Sequence, residues 1–315
     1  MAVKTVPGRF AFDRDGILIL PAATLIIAAL ALPAFRDPAN LANVVRQAGV
    51  LGILAIGQTF VISAGMLDLS IGAITGLVVV LSSALLNGDA ALTLPVVALM
   101  VAVGAVIGML NGVLLNTLRL HPLILTFGML SVLQGAIFSF TDKSVGRTSA
   151  PLAMLANGDI AGVPWSALLL LVLAIGGHLL LAHTRFGYHL MAAGGNPESA
   201  RRAGINIERI RFAVFVISGV TAALAGLLLA GRLGTGYPLA GNGLELDAIV
   251  AVVLGGTLLS GGRGSIWRSL AGVLMLAVLS NTLNLMNVSA FVQMFVKGLV
   301  VIGAILLNQP RRASS

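Results

Sequence analysis

An all-α chain that crosses a membrane many times is the fold class this sequence predicts, and three observations predict it. Mean hydropathy is +1.03. Apolar residues make up 58% of the 315 and charged residues only 10%, more apolar surface than a soluble core of this size could hide. The apolar residues also fall into runs near the length of a bilayer-spanning helix. Backbone amides in hydrocarbon must be satisfied within their own segment, which excludes lone strands. A single transmembrane domain over 1–315 follows.

Ten segments can be marked in order. The first, 17–35, follows Lys4, Arg9 and Arg14 and contains Ala29-Leu30-Ala31, which imitates a small-residue cleavage site. It is long for a signal core and more membrane follows, so it reads as an uncleaved span. The second and third, 44–64 and 69–86, are parted only by Gly65 to Asp68, either a turn or a break within one helix. The fourth, 94–115, carries Gly104, Gly108 and Gly112 at a spacing that lets membrane helices approach closely. The fifth is 122–140 and the sixth 164–182. A polar stretch, 183–211, leads to the seventh, 212–231, with Gly219, Gly226 and Gly231. The eighth, ninth and tenth are 247–259, 269–285 and 291–307. Lys297 inside the last is expected to snorkel to the membrane surface.

Charge placement tests that count. With both termini cytoplasmic, the inner side holds Lys4, Arg9, Arg14, Arg119, Arg185, Arg201, Arg202, Arg209, Arg211, Arg263, Arg268, Arg311 and Arg312. The outer side holds Arg36, Arg46, Lys143, Arg147 and Arg232, together with the carboxylates Asp37, Asp89, Asp142, Asp159, Glu245 and Asp247. That asymmetry is what the positive-inside bias produces, and it accounts for the net charge of +8 without nucleic acid as a partner. The expected tails are 1–16 and 308–315, both cytoplasmic. Partners five spans apart also share short strings: Asn116-Thr117-Leu118 with Asn281-Thr282-Leu283, and Gly135-Ala136-Ile137 with Gly303-Ala304-Ile305. An inverted repeat of five plus five spans would produce such pairs.

Several chemistries are excluded. There is no cysteine, hence no disulfide, thiolate metal site or thiol nucleophile. His121, His178, His183 and His189 form no helical zinc pair and no HExxH. The Lys-Thr and Lys-Ser dipeptides at Lys4 and Lys143 lack a P-loop context, and no catalytic triad or carboxylate pair is visible. The chain is expected to hold no cofactor and to catalyse nothing itself. If it pumps, the energy comes from another chain or an ion gradient.

Polar residues inside spans mark the candidate translocation path: Gln58, Asp68, Ser70, Asn111, Thr126 and Gln134. Asp68 stands out, because an intramembrane carboxylate is a functional hypothesis by default. It also immediately precedes an apolar run, where it would cap free amides and complement the helix dipole. The two roles are compatible. Aromatics are few, so a substrate site in this chain is expected to be weak and selectivity to lie elsewhere.

The stretch AAGGNPESARRAGINIER, 192–209, is the most polar part of the middle. Asn196 suits an N-cap, Pro197 the first helical position, Glu198 the positive helix end and Gly204 the stop, and Asn206 can cap the next helix. A helix so short needs a partner surface. A basic loop against lipid headgroups is the plainer alternative.

Three strings carry a family resemblance. GQTFVISAGMLDLSIGA, TRFGYHLMAAGGNPESARRAGINIERIRFAVFVISGVTAALAGLLL and GLELDAIVAVVLGGTLLSGGRGSIW resemble, in order, segments of the ribose/xylose/arabinose-type permeases of bacterial ABC importers, and the likeness spans about 41–307. The resemblance implies a multi-pass inner-membrane permease subunit of about ten helices, working beside a second permease copy. It further implies a cytoplasmic ATP-binding cassette protein that holds the ATP and Mg, and a periplasmic solute-binding protein that delivers the sugar. Gly194, Gly195, Asn196, Ala200, Arg201, Arg202 and Gly204 would be the coupling element, within a cytoplasmic loop 183–211. Met66, where the family pattern has glycine, and Arg268, where it has a small residue, depart from it. A permease for branched-chain amino acids or nucleosides is the nearest alternative, an ion-coupled transporter the more distant one.

Overall fold

The computed structural model describes residues 16–308. The two terminal tails, with Lys4, Arg9, Arg14, Arg311 and Arg312, lie outside the described residues beyond that range. The helices are α1 (Gly16–Ala31), α2 (Pro38–Ser63), α3 (Ser70–Leu86), α4 (Thr93–Leu118), α5 (Pro122–Phe140), α6 (Ala150–Asn157), α7 (Trp165–His183), α8 (Arg185–Gly195), α9 (Pro197–Arg202), α10 (Ile207–Leu233), α11 (Leu244–Leu254), α12 (Ile266–Leu285) and α13 (Ala290–Asn308). A 3₁₀ turn, Pro33–Arg36, joins α1 to α2. A two-residue hairpin, Asp159–Ile160 with Val163–Pro164, joins α6 to α7. The protein is an all-α, polytopic membrane protein apart from that hairpin.

Each of the ten apolar segments coincides with one helix: α1 to α5, α7, and α10 to α13. Six of them, α2, α4, α5, α7, α10 and α12, are long and apolar enough to cross a membrane. The eighth segment is shorter and earlier than expected, ending at Leu254 rather than at 259. Gly256, at φ +78°, lets the Gly256 and Thr257 amides fold back on the Val253 and Val252 carbonyls, a Schellman stop. Its 11 residues rise only about 16 Å against a ~30 Å hydrocarbon core, so α11 reaches full depth only with the loops on either side.

The stretch between α2 and α3 is a turn between two helices. α2 packs against α10, α12, α7 and α11, while α3 packs mainly against α10, α5 and α4. Gly104, Gly108 and Gly112 of α4 lie against the Gly219, Phe215 and Phe212 backbone of α10. A Cβ at any of them would enter that backbone. The glycine stripe is therefore a seam within the chain, and α10 is the hub of the bundle. At one end of the core, Asn40 and Asn281 exchange amide hydrogen bonds of 3.0 and 2.8 Å, tying the start of α2 to the end of α12.

Lys297 of α13 places its Nζ 2.7 Å from Asp247 Oδ2 of α11, both side chains about a quarter exposed (25% and 24%).

Candidate functional site

The 192–209 stretch folds as its local signals predict. Asn196 Oδ1 accepts from the Ser199 amide at 2.9 Å, Pro197 begins α9 and Glu198 sits in its first turn. α9 closes with Gly204 at φ +82°, whose amide donates to Arg201 O while Ile205 donates to Ala200 O. Asn206 then caps α10 through the Arg209 amide at 2.8 Å. The stretch is less of a loop than expected. Gly194 and Gly195 are the last two residues of α8, a helix capped by Thr184 through the Gly187 amide.

The arginines divide. Arg202 pairs with Glu198 at 3.2 Å on the outer surface of α9, with 79% of its side chain exposed. Arg201 folds back to Glu208 at the start of α10, 3.0 Å away. A backbone hydrogen bond to Glu208 and the nearby Arg201 guanidinium hold that carboxyl below the usual carboxylate range. Ala200, buried between them, anchors α9 to the bundle.

Gly194 carries the tightest contact of this segment. A side chain there would run into the Ser63 carbonyl at the end of α2 and the Gly262 amide, whose N–H donates to Ser63 O at 2.9 Å. A Cβ added to Gly261 would likewise come within 2.7 Å of the Gly65 backbone, and one added to Gly262 within 2.7 Å of the Gly195 backbone. Three separate segments, the end of α8, the α2–α3 turn and the α11–α12 loop, thus meet backbone to backbone.

Asp68 lies just beyond that junction, 1% exposed. Its Oδ1 accepts from the Ser70 amide at 2.9 Å and from Ser70 Oγ at 2.6 Å, and its Oδ2 accepts from Ser218 Oγ of α10 at 2.7 Å. Asn111 Nδ2 of α4 donates to Ser70 Oγ at 2.9 Å. Thr126 Oγ1 of α5 accepts from the Leu69 amide at 3.1 Å. Asp68 therefore caps the first amide of α3 and joins α3 to α10, while Ser70 joins α3 to α4. Of the six candidate path residues, Asp68, Ser70, Asn111 and Thr126 come together here. Gln58, fully buried on α2, and Gln134, half-buried on α5, stand apart from that cluster, and Gln58 Nε2 and Oε1 and Gln134 Nε2 have no hydrogen-bond partner among the described residues.

A cavity of about 440 Å³ opens at the opposite end of the bundle, between α2, α10, α11 and α12. Its polar lining is Asn43, Gln47, Arg232, Asp247, Ser280 and Asn284. Arg232 is held to Asn43 at 3.1 Å. Sequence reading missed this group, because Asn43 of α2 and Ser280 and Asn284 of α12 carry no local signal and are brought together only by packing. Only Arg232 and Asp247 were marked, as outer charges.

Residues 40–305 match the family described as the branched-chain amino acid transport system / permease component. The chain is 40% identical to the ribose import permease protein RbsC of Bacillus subtilis, over 95% of this chain and 92% of that protein. It is 35% identical to the ribose import permease protein RbsC of Escherichia coli K12, over 99% and 100%. Against the L-arabinose ABC transporter permease protein AraH of Azospirillum brasilense it is 33% identical over 95% and 88%. No solved structure matches.

Proposed function

The chain belongs to this permease-component family of binding-protein-dependent transport systems, and on that premise we propose that it is the inner-membrane subunit of an ATP-driven importer for a monosaccharide. The observation that carries the reading is identity of 35–40% to ribose import permeases along nearly the whole chain. ATP hydrolysis takes place on a separate cytoplasmic cassette protein, which binds the ATP and Mg. A periplasmic binding protein supplies the sugar, and two permease copies form the passage.

Both ends of the chain are assigned to the cytoplasm, with ten spans. Arg185, Arg201, Arg202, Arg209 and Arg211 share the end of the bundle where α8 and α9 meet the α2–α3 turn, and Lys143, Arg147 and Arg232 fall at the other end. The packing supports an inverted repeat. α2 packs on α11 and α12 as α10 packs on α3 and α4, with α2 against α10 between them. α1 and α7 depart from that pattern. The strings Leu67-Asp68-Leu69-Ser70 at the start of α3 and Leu244-Glu245-Leu246-Asp247 at the start of α11 are the matching motifs.

The loop 183–211 is the coupling element, with Gly194, Gly195, Asn196, Ala200, Arg201, Arg202 and Gly204 its shaping residues. The cassette protein pushes on α9, and the glycine junction hands the movement to the turn that starts α3. The path runs beside the Asp68 cluster, and Gln58 and Gln134, apart from it, offer unpartnered amides to a neutral hydroxylated solute.

The absence of native cysteine makes the test clean. In vesicles bearing the whole transporter, Arg202→Cys is expected to cross-link to the cassette protein, and Lys143→Cys to react only with a reagent on the periplasmic side. Labelled ribose should enter only with ATP and binding protein present. Cross-linking from Lys143→Cys to the cassette would reverse the topology. Uptake of leucine but not ribose would move the protein to the amino-acid branch.

A further inference from the structure

We infer that a cleft at the cytoplasmic rim binds the headgroup of an anionic phospholipid. The cleft, about 730 Å³, lies between the α4–α5 turn, the end of α9 and the start of α10. Arg119, His121, Arg201 and Arg211 line it, and Glu208 is its only carboxylate. Glu208 neutralises Arg201, which leaves Arg119 and Arg211 in excess. The walls are fixed. Arg119 closes α4 in the left-handed region at φ +52°, and Asn116 Nδ2 donates to Glu208 O at 2.9 Å, tying the end of α4 to the start of α10.

The surroundings select the ligand. Leu118, Leu120, Leu123, Ile124 and Phe127, beside the arginines on the end of α4 and the start of α5, are 40–64% exposed. A free phosphate or an acidic side chain would satisfy the guanidiniums and leave this apolar rim bare. A phosphodiester carrying acyl chains satisfies both, and planar guanidiniums suit its oxygens. Basic pockets at the cytoplasmic ends of membrane helices also sit where the leaflet is anionic. The inference needs the cytoplasmic orientation proposed above, but not the sugar assignment. It also separates Arg201, committed to this cleft, from Arg202 on the free face of α9.

The full chain in nanodiscs and native mass spectrometry test it, with phosphatidylglycerol and phosphatidylcholine as probes. Phosphatidylglycerol is expected to stay bound and phosphatidylcholine to leave. Arg119→Gln with Arg211→Gln should weaken retention about tenfold or more, as lost charge-assisted hydrogen bonds do. Arg119→Lys with Arg211→Lys, which keeps the charge, should weaken it less, and Lys143→Gln on the other face should leave it unchanged. Equal retention of the two lipids overturns the inference. So does undiminished retention in the glutamine variant, or displacement by millimolar inorganic phosphate as effective as by phosphatidylglycerol. Arg119→Cys cross-linking to the cassette protein would assign the cleft to that partner instead. Accessibility of Arg119→Cys only from the periplasm would fault the orientation, separately from lipid binding.

Discussion

The two ends of the bundle are built on opposite principles. At the α8–α9 end, backbones of three segments touch at glycines and Asp68 is sealed by hydrogen bonds from Ser70 and Ser218. At the other end, α2, α10, α11 and α12 leave a cavity of about 440 Å³, and Asp247 stays partly exposed with Lys297 as counter-ion. The same chemical element, a carboxylate in the approach to a membrane helix, is thus a filled joint in one place and the edge of an open chamber in the other. A permease that is pushed from one side and loaded from the other needs stiffness and room in those places respectively.

The comparison breaks most sharply at Gly194. Gly194→Val would drive a branched side chain into the Ser63 carbonyl, backbone that cannot swing away. A cost of about 3 kcal/mol or more is expected from such overpacking. The readout is loss of monodisperse protein in size-exclusion chromatography; a well-behaved, transport-active Gly194→Val would show that the joint has slack. Next comes Asp68→Ala, which strands Ser70 and Ser218 in the core and should cost about 2–3 kcal/mol. Asp68→Asn keeps the shape and should lose less, a ranking that thermal melts in detergent can check.

Smaller effects belong to the open end. Lys297→Met leaves Asp247 without its cation and is expected to cost about 1 kcal/mol, part of it recovered when Asp247→Asn is added. Additive losses in that double-mutant cycle would mean that the pair does not couple α11 to α13. The smallest change is expected for Asn284→Ala on the cavity wall, within about 0.5 kcal/mol in melting. If it melts like Gly194→Val, the two ends are not built differently after all.

Legibility followed locality. The caps at Asn196 and Asn206 and the stop at Gly204 were readable because each depends on residues within five positions. Asp68 was readable as a cap for the same reason. Ser218, 150 residues away, carries no local signal that ties it to Asp68. The partner of Lys297 was not legible, because Asp247 lies on another helix.

By itself the sequence determined the all-α membrane class, the capped helix in 192–209 and the family resemblance. These follow from hydropathy, charge bias and short-range hydrogen bonding, all periodic or local. Only the tertiary structure decided that the glycine stripe seals α4 to α10, that four of the six candidate path residues close into one cluster, and that Arg201 and Arg202 face different surroundings. Which apolar helix meets which is set by side-chain shape across long separations, and nearly uniform hydrophobicity carries no record of that choice.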